Sequence, residues 1–447
     1  MKYAIFALAV AGVPFLAAAF AANARWMGHA FWGVAAGLCL YQKTAINFFS
    51  NENYRGSARG METSVVHLLC ASILLSLAMR HRIRKFVPEA GFAIYALYVL
   101  LCLPSFGSAE SALYSWLELW KMLLLPVVGL AVFWFLDATE EIEAPVLCFA
   151  SVAVANAFYV LVQHFSGVYQ PAGLFPHRNS MAMAMGLVAP LFFAAYLERG
   201  ARSAFGRVCV FAFGCAAFGA VRSYSRGAIA VLPLGCGLAA LACLSERRGR
   251  GAKLRRIAPL AVLAAIGAAV MVPRIVERFE TAPEASANTR VELALCAWEM
   301  IKDEPLRGVG MNNWGVKINP PWDYAELAGR NTNRGEDFED GIVETVYLLV
   351  AAECGLPALA AMLLWFAWHW FSCLRLLGVL RGTEWRFVPA GLLGGLSSNF
   401  LQSALEWVLR QQMNLIFLAI AFGMVSFLNA RGRAIAAERR KRRTART

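Results

Sequence analysis

Charge is scarce along this chain. Only 16% of its 447 residues are Asp, Glu, Lys or Arg, against about a quarter in soluble domains. With 59% hydrophobic residues and a mean hydropathy of +0.54, a soluble globular chain is excluded. Histidine is rarer still, with six in all. No CxxC pair and no Cys/His cluster with zinc-ligand spacing occurs, so the sequence supports neither a metal site nor a cofactor. Internal repeats are lacking, and the only low-complexity segment is the basic tail. The eleven cysteines lie mostly within apolar runs. Cys296 and Cys354 flank a polar stretch and can pair in an oxidising compartment; read as free thiols, they are small apolar residues.

What the chain has instead is a succession of apolar runs, each long enough for a helix to cross a bilayer. They fall at 3–22, 27–43, 62–79, 88–105, 117–136, 144–164, 180–197, 206–221, 226–244, 257–273, 355–376, 386–404 and 412–429. The first run follows a lysine and ends in small residues, as a signal peptide does. A second run follows at once, and we read the first as an uncleaved helix. The run at 27–43 is short and carries His29, which sets the count at twelve or thirteen. The expected fold is an all-α polytopic membrane protein with one large, partly helical loop. Residues 1–273 form an N-terminal bundle, 274–354 the loop, 355–429 the last helices and 430–447 a basic tail.

Lysine and arginine set the orientation. SERRGRGAKLRR, at 245–256, holds six basic residues between two apolar runs, and ARGRAIAAERRKRRTART ends the chain. With both in the cytoplasm, alternation also puts Arg375, Arg381 and Arg386 there. Arg199, Arg202 and Arg207 follow, as do Arg80, Arg82, Arg84 and Lys85. Only the acidic link 137–143 adds no support. The net charge of +13 is therefore a topology signal rather than a sign of a nucleic-acid partner. On the far side lie 44–61, 106–116, 165–179, 222–226, 274–354 and 405–412.

The large loop is no linker. NTRVELALCAWEMIKDEP has helical spacing, with Asn288 or Thr289 as N-cap, Glu292 reaching back and a stop at Pro305. GVGMNNWG reads as a turn, and PPWDY opens an irregular segment. The tryptophans at 314, 322 and 407 suit interfacial anchoring.

Arginine at the hydrocarbon edge is costly, about 2.5–3.5 kcal/mol at a helix centre and less near its end. VRSYSRGA puts Arg222 and Arg226 four residues apart, on one face if the segment is helical. Arg290 opens the loop helix, and Arg178 stands in FPHRN beside His177 and Asn179. Four guanidiniums on one rim suit phosphate oxygens, as in a lipid-linked pyrophosphate. The alternative is pairing with Glu277, Glu284, Asp303, Glu336, Asp337, Glu339 or Asp340. Glu344 lies one turn before Tyr347 at the opening of the returning helix. It can act as general base on a sugar hydroxyl, or stabilise the helix N-terminus. His177 is another candidate base. His67 and His369, inside spans, read as hydrogen-bonding partners of neighbouring helices.

Four segments in order then carry a resemblance: GLFPHRNSMAMAMGLVAP, SYSRGAIAVL, NTRVELALCAWEMIKDEPLRGVGMNNW and VETVYLLVAAECGLPAL. Their order and spacing over about 165–360 resemble the O-antigen ligase and polymerase superfamily, as does INFFSNENYRGSARGMETS near the N-terminus. The resemblance implies a glycosyltransferase of the bacterial inner membrane, with its large loop in the periplasm and its C-terminus in the cytoplasm. The donor would be an undecaprenyl-pyrophosphate-linked glycan, and the acceptor a lipid A-core sugar (ligase) or another glycan (polymerase). It needs neither metal nor cofactor. The family's two pyrophosphate-gripping arginines fall on Arg226 and Arg290, and its base position falls on Glu344. Many members have a His-Asn pair where this chain has Glu344 and Thr345. We therefore expect Glu344, Arg226 and Arg290 to be catalytic, and Arg178, Asn179, Arg222 and Tyr347 to bind substrate. A lipid-linked-glycan transporter is the alternative from another class, and would need polar groups buried midway across several spans.

Overall fold

A computed structural model describes residues 2–80, 89–280, 284–328 and 341–444. Arg82, Arg84, Lys85, Glu336, Asp337, Glu339 and Asp340 lie outside them, as do the side chains of Glu277 and Glu284. Helices account for nearly all regular structure. The longer ones, in chain order, are α1 (Lys2–Ala22), α2 (Ala24–Cys39), α3 (Val65–Met79), α4 (Ala90–Cys102) and α5 (Ala112–Thr139). Then come α6 (Glu143–Phe165), α7 (Arg178–Arg199), α8 (Ala204–Arg222), α9 (Arg226–Leu244), α10 (Arg250–Glu280) and α11 (Glu284–Asp303). The series closes with α12 (Val346–Val379), α13 (Phe387–Gln402) and α14 (Gln412–Thr444). Each apolar run of the sequence falls on a helix. Among the described residues, eight helices are long and apolar enough to cross a membrane. One antiparallel hairpin, β1 (Ile46–Phe48) and β2 (Met61–Thr63), pairs Ile46 with Thr63 and Phe48 with Met61.

Two helices form the centre. α7 is apolar on every side and almost wholly buried, the signature of a core helix rather than an amphipathic one. α13 crosses it with glycines at the contact: a Cβ at Gly391 would lie 2.4 Å from Leu191 Cα, and one at Gly394 only 2.1 Å from the Gly235 carbonyl of α9. Small residues let backbones approach where lipid supplies no hydrophobic drive between helices.

Links predicted on one side of the bilayer meet each other. At one end Arg199 bonds Glu143 and Glu384, Lys253 and Arg386 share Glu198, and Arg431 pairs with Glu140. The acidic link 137–143, unsupported by basic residues of its own, thus borrows them from its neighbours. At the opposite end, Asn312 is bonded to Ala58, Asn313 to Ser111 and Gln42 to Leu174.

The loop differs from its sequence reading in three places. α10 continues past 273 to Glu280, and α11 starts at Glu284 rather than at 288 or 289; propensity marks a helix more clearly than its ends. Trp314 is fully buried, its Nε1 donating to the Gly341 carbonyl (2.8 Å). It packs with Leu293, Met300, Val343 and Leu349 in a small separate core, so it is no interfacial anchor. Cys296 and Cys354 are both buried, and no disulfide joins them.

The loop is clamped to α12 where that helix breaks. Gly355 has φ +84° and Pro357 follows. Leu356 N donates to the Pro305 carbonyl (2.8 Å) and Val309 N to that of Ala352 (2.8 Å). A Cβ at Gly355 would meet the Leu306 carbonyl at 2.4 Å, and one at Gly308 (φ +72°) would meet the Glu353 backbone at 2.4 Å. The predicted start of the span at 355 is this break, with the preceding turns of α12 lying under the loop.

Candidate functional site

Four chain segments converge beneath the loop. α11 brings Arg290, the entry to α12 brings Glu344, the link between α13 and α14 brings Glu406, and the start of α7 brings Arg178 and Asn179. Arg290 Nη2 lies 2.5 Å from Glu344 Oε2 and 3.8 Å from Glu406 Oε1. Arg290 and Glu344 are about one-third exposed, whereas the Glu406 side chain is only 8% exposed. Asn179 hydrogen-bonds Glu406. Burial, and then the charge of Glu344, push the Glu406 carboxyl up to about 7, against the opposing pull of Arg290, Asn179 and Arg178. His177 caps α7 by accepting from Asn179 N at 3.2 Å, and burial followed by the Arg178 charge lowers its pKa.

Glu344, Glu406, His177 and Asn179 share one wall of a cleft of about 750 Å³, whose other wall is the hairpin and its loop. Such a volume suits a substrate rather than a single ion. Among the described residues no group of three or more His, Cys, Asp or Glu is placed to hold a metal.

Of the residues singled out from sequence, Arg290, Glu344, Arg178 and Asn179 are thus brought together. Arg226 opens α9, and its neighbour Gly227 packs on Leu405, next to Glu406. Arg222 is elsewhere. The chain turns at 223–225, with Tyr224 at φ +50°, so Arg222 ends one helix and Arg226 starts the next. The shared helical face assumed for the pair does not exist. Arg222 bonds His164 Nδ1 (2.6 Å) and the Tyr224 hydroxyl (2.9 Å) instead. Tyr347 donates to the Phe400 carbonyl (2.7 Å) and lines an apolar groove with Leu238 and Leu401, away from the cleft. Arg290 pairs with the entry to α12, and Asp303 accepts from Tyr324 instead (2.5 Å).

Sequence reasoning passed over Glu406, and with it a buried charge network. Arg410 bridges Glu118 (3.0 Å) and Glu353 (2.5 Å), and Lys121 pairs with Glu118 (2.7 Å). Ser57 donates to Glu118 (2.9 Å), and Glu353 accepts from Trp314 N (3.3 Å). Two acids and two bases cancel, and Glu118, Glu353 and Lys121 each make a further hydrogen bond, which is what buried charge requires. The network joins the hairpin loop, α5, the GVGMNNW turn and the break in α12. The available signal was ALEWVLRQQ, a short polar link with Glu406 and Arg410 four residues apart. His67 bonds Gln412 of α14 (3.0 Å), whereas His369 bonds its own helix at Trp365 and stacks on Phe422.

The fold and these charges define a multi-pass membrane protein with a polar cleft beneath a docked loop. Residues 211–363 match the O-antigen ligase family, a stretch running from α8 to the middle of α12 and containing Arg226, Arg290 and Glu344. Over that stretch, about a third of its length, the chain is similar to the O-antigen ligase family, in line with the resemblance its motifs carry. No curated protein matches the chain.

Proposed function

We propose that the protein is an inner-membrane glycosyltransferase of the ligase type. It moves a glycan from an undecaprenyl-pyrophosphate-linked donor to an acceptor sugar hydroxyl at the periplasmic face. The observation that carries this is Arg290 standing between two carboxylates, Glu344 and Glu406, at the edge of a cleft.

A diphosphate arriving beside Arg290 offers more negative charge than Glu344 does, in a planar geometry the guanidinium fits. The ion pair it displaces is partly exposed, and pairs of that kind are worth roughly 0–1 kcal/mol. Drawing Arg290 onto the diphosphate removes the positive charge that holds down the basicity of Glu406. Donor binding therefore prepares the base.

In the reaction the acceptor hydroxyl passes its proton to the Glu344–Glu406 pair, its oxygen bonds the anomeric carbon, and the carbon–oxygen bond to phosphate breaks. Undecaprenyl pyrophosphate leaves with the electron pair, its charge held by Arg290 and Arg226. Attack opposite the leaving group inverts the anomeric centre. No metal or cofactor enters this scheme.

The test is transfer by purified protein supplied with lipid-linked donor and either lipid A-core or a second donor molecule. Product on lipid A-core from wild type and none from Arg226→Ala or Arg290→Ala supports the ligase reading. Product only on the second donor would make it a polymerase. Movement of donor across a proteoliposome with no new linkage would make it a transporter.

A further inference from the structure

Beyond the carboxylate pair the cleft is lined by the N-terminal hairpin and its loop, and none of Arg178, Arg226 and Arg290 is part of that lining. One wall there carries the exposed side chains of Asn47, Ser50 and Arg59; the other carries Trp407 and Gln412. We propose that this end of the cleft is the acceptor subsite, built for the uncharged, hydroxyl-rich end of an oligosaccharide. The proposal rests on the glycan-transfer reading.

Charge decides against a second diphosphate site. The carboxylates lining the cleft are Glu52, Glu62, Glu344 and Glu406; the cations are Arg59 and Lys121, and Lys121 is already held by Glu118 at 2.7 Å. A phosphate would meet an excess of like charge. A sugar hydroxyl meets what it needs, since it donates and accepts, as the side-chain amides of Asn47 and Gln412 do.

Gln412 makes the point most directly. Its Nε2 bonds His67 at 3.0 Å, while its Oε1, buried against the cleft, has no hydrogen-bond partner. A buried acceptor left unmet costs about 1–3 kcal/mol, which a ligand hydroxyl would recover. Trp407 adds an aromatic face of the kind on which an apolar sugar face stacks.

The hairpin wall is also held in place. Asn312 Nδ2 donates to the Ala58 carbonyl (2.8 Å) while its Oδ1 accepts from Ala58 N (3.1 Å). Tyr54 donates to the Asn312 carbonyl, and Lys121 to that of Ser57 (3.2 Å). A wall fixed by the same turn that anchors the loop is set before the acceptor arrives, which lowers the cost of binding. Donor grip and acceptor reading are thereby placed on opposite sides of Glu344 and Glu406.

The experiment uses full-length protein in lipid nanodiscs with two probes, a dephosphorylated core oligosaccharide and inorganic pyrophosphate. Oligosaccharide binding is read by saturation-transfer NMR, pyrophosphate by calorimetry. The double variant Asn47→Ala, Arg59→Ala and the cleft-filling Ser50→Trp should each weaken the oligosaccharide about tenfold or more, as lost hydrogen bonds imply, with pyrophosphate binding unchanged. Arg290→Ala should do the reverse. Asn47, Ser50 and Arg59 are all exposed, and an unchanged melting profile shows that the variants fold. Oligosaccharide binding that ignores these substitutions, or no oligosaccharide binding by wild type, overturns the subsite. Wild type that binds the oligosaccharide but transfers no glycan overturns the reaction and leaves the subsite standing.

Discussion

Arg290 reaches Glu344 across 2.5 Å, joining the helix of the loop to the residue that opens the returning helix. Neither residue is deeply buried, and the loop is held down elsewhere, by its own core and by the break at Gly355. The pair is therefore placed for exchange. Removing the guanidinium should cost transfer more than folding.

Arg290→Ala is expected to lower transfer by about 10²–10³-fold, the usual loss when one preorganised charge-stabilising group is removed, with membrane insertion and melting temperature nearly unchanged. Arg290→Lys should recover little, because an ammonium cannot present the bidentate fork. Surface glycan resolved on gels, beside protein level in membranes, reads both. Full glycan in the alanine variant would remove Arg290 from the mechanism.

Glu406 sets a pH dependence. Its carboxyl titrates near 7 in the folded protein, and the base must be ionised, so the rate should rise with pH through about 7. It should fall roughly tenfold per unit on the acid side. Stability runs the other way. A carboxyl raised above its free value contributes stability that is complete below the unfolded pKa and is lost as pH rises through the folded one. Glu406→Gln should thus be more stable than wild type at pH 8 and match it at pH 4, by thermal unfolding in detergent. Transfer kinetics with no acid limb near 7 would rule Glu406 out as the proton acceptor.

Glu353 and Arg410 test the buried network. Glu353→Ala leaves Arg410 with one partner fewer in a dry site, a loss of about 3–5 kcal/mol. Adding Arg410→Met should return part of that stability, since it removes the stranded charge. Unfolding midpoints of both variants measure it, and a double variant no more stable than the single would refute the coupling.

Gly308→Ala and Gly355→Ala each put a Cβ against backbone, at 2.4 Å, in a conformation only glycine adopts readily. Each should cost about 1–3 kcal/mol and loosen the loop. Faster protease cleavage within 305–315 than in wild type is the expected readout, while equal rates would show that the clamp is dispensable.

How much of this was legible beforehand follows the range of each signal. The spans were readable because hydropathy is a property of consecutive residues, whereas the turns of α12 before Gly355 were read as loop. Arg290, Arg226 and Glu344 stood out because charge at a membrane edge is expensive and needs a reason. Glu406 gave a weaker sign, one acid four residues from Arg410 in a short link with no period to betray its burial. Arg222 misled, since spacing of four residues implies a shared face only where the helix is unbroken, and Tyr224 breaks it.

The sequence by itself determined that this chain crosses a bilayer many times and which connections share a side, because both depend on local apolarity and on where lysine and arginine sit. Tertiary structure alone decided which charges meet. Arg290, Glu344, Glu406 and Asn179 come from four separate segments, and only the packing of α7 and α13, with the loop clamped at Gly355, brings them within reach. The hairpin that closes the cleft is far from all of them in sequence. It is held there by Asn312 and Ser57, whose partners no local pattern could name.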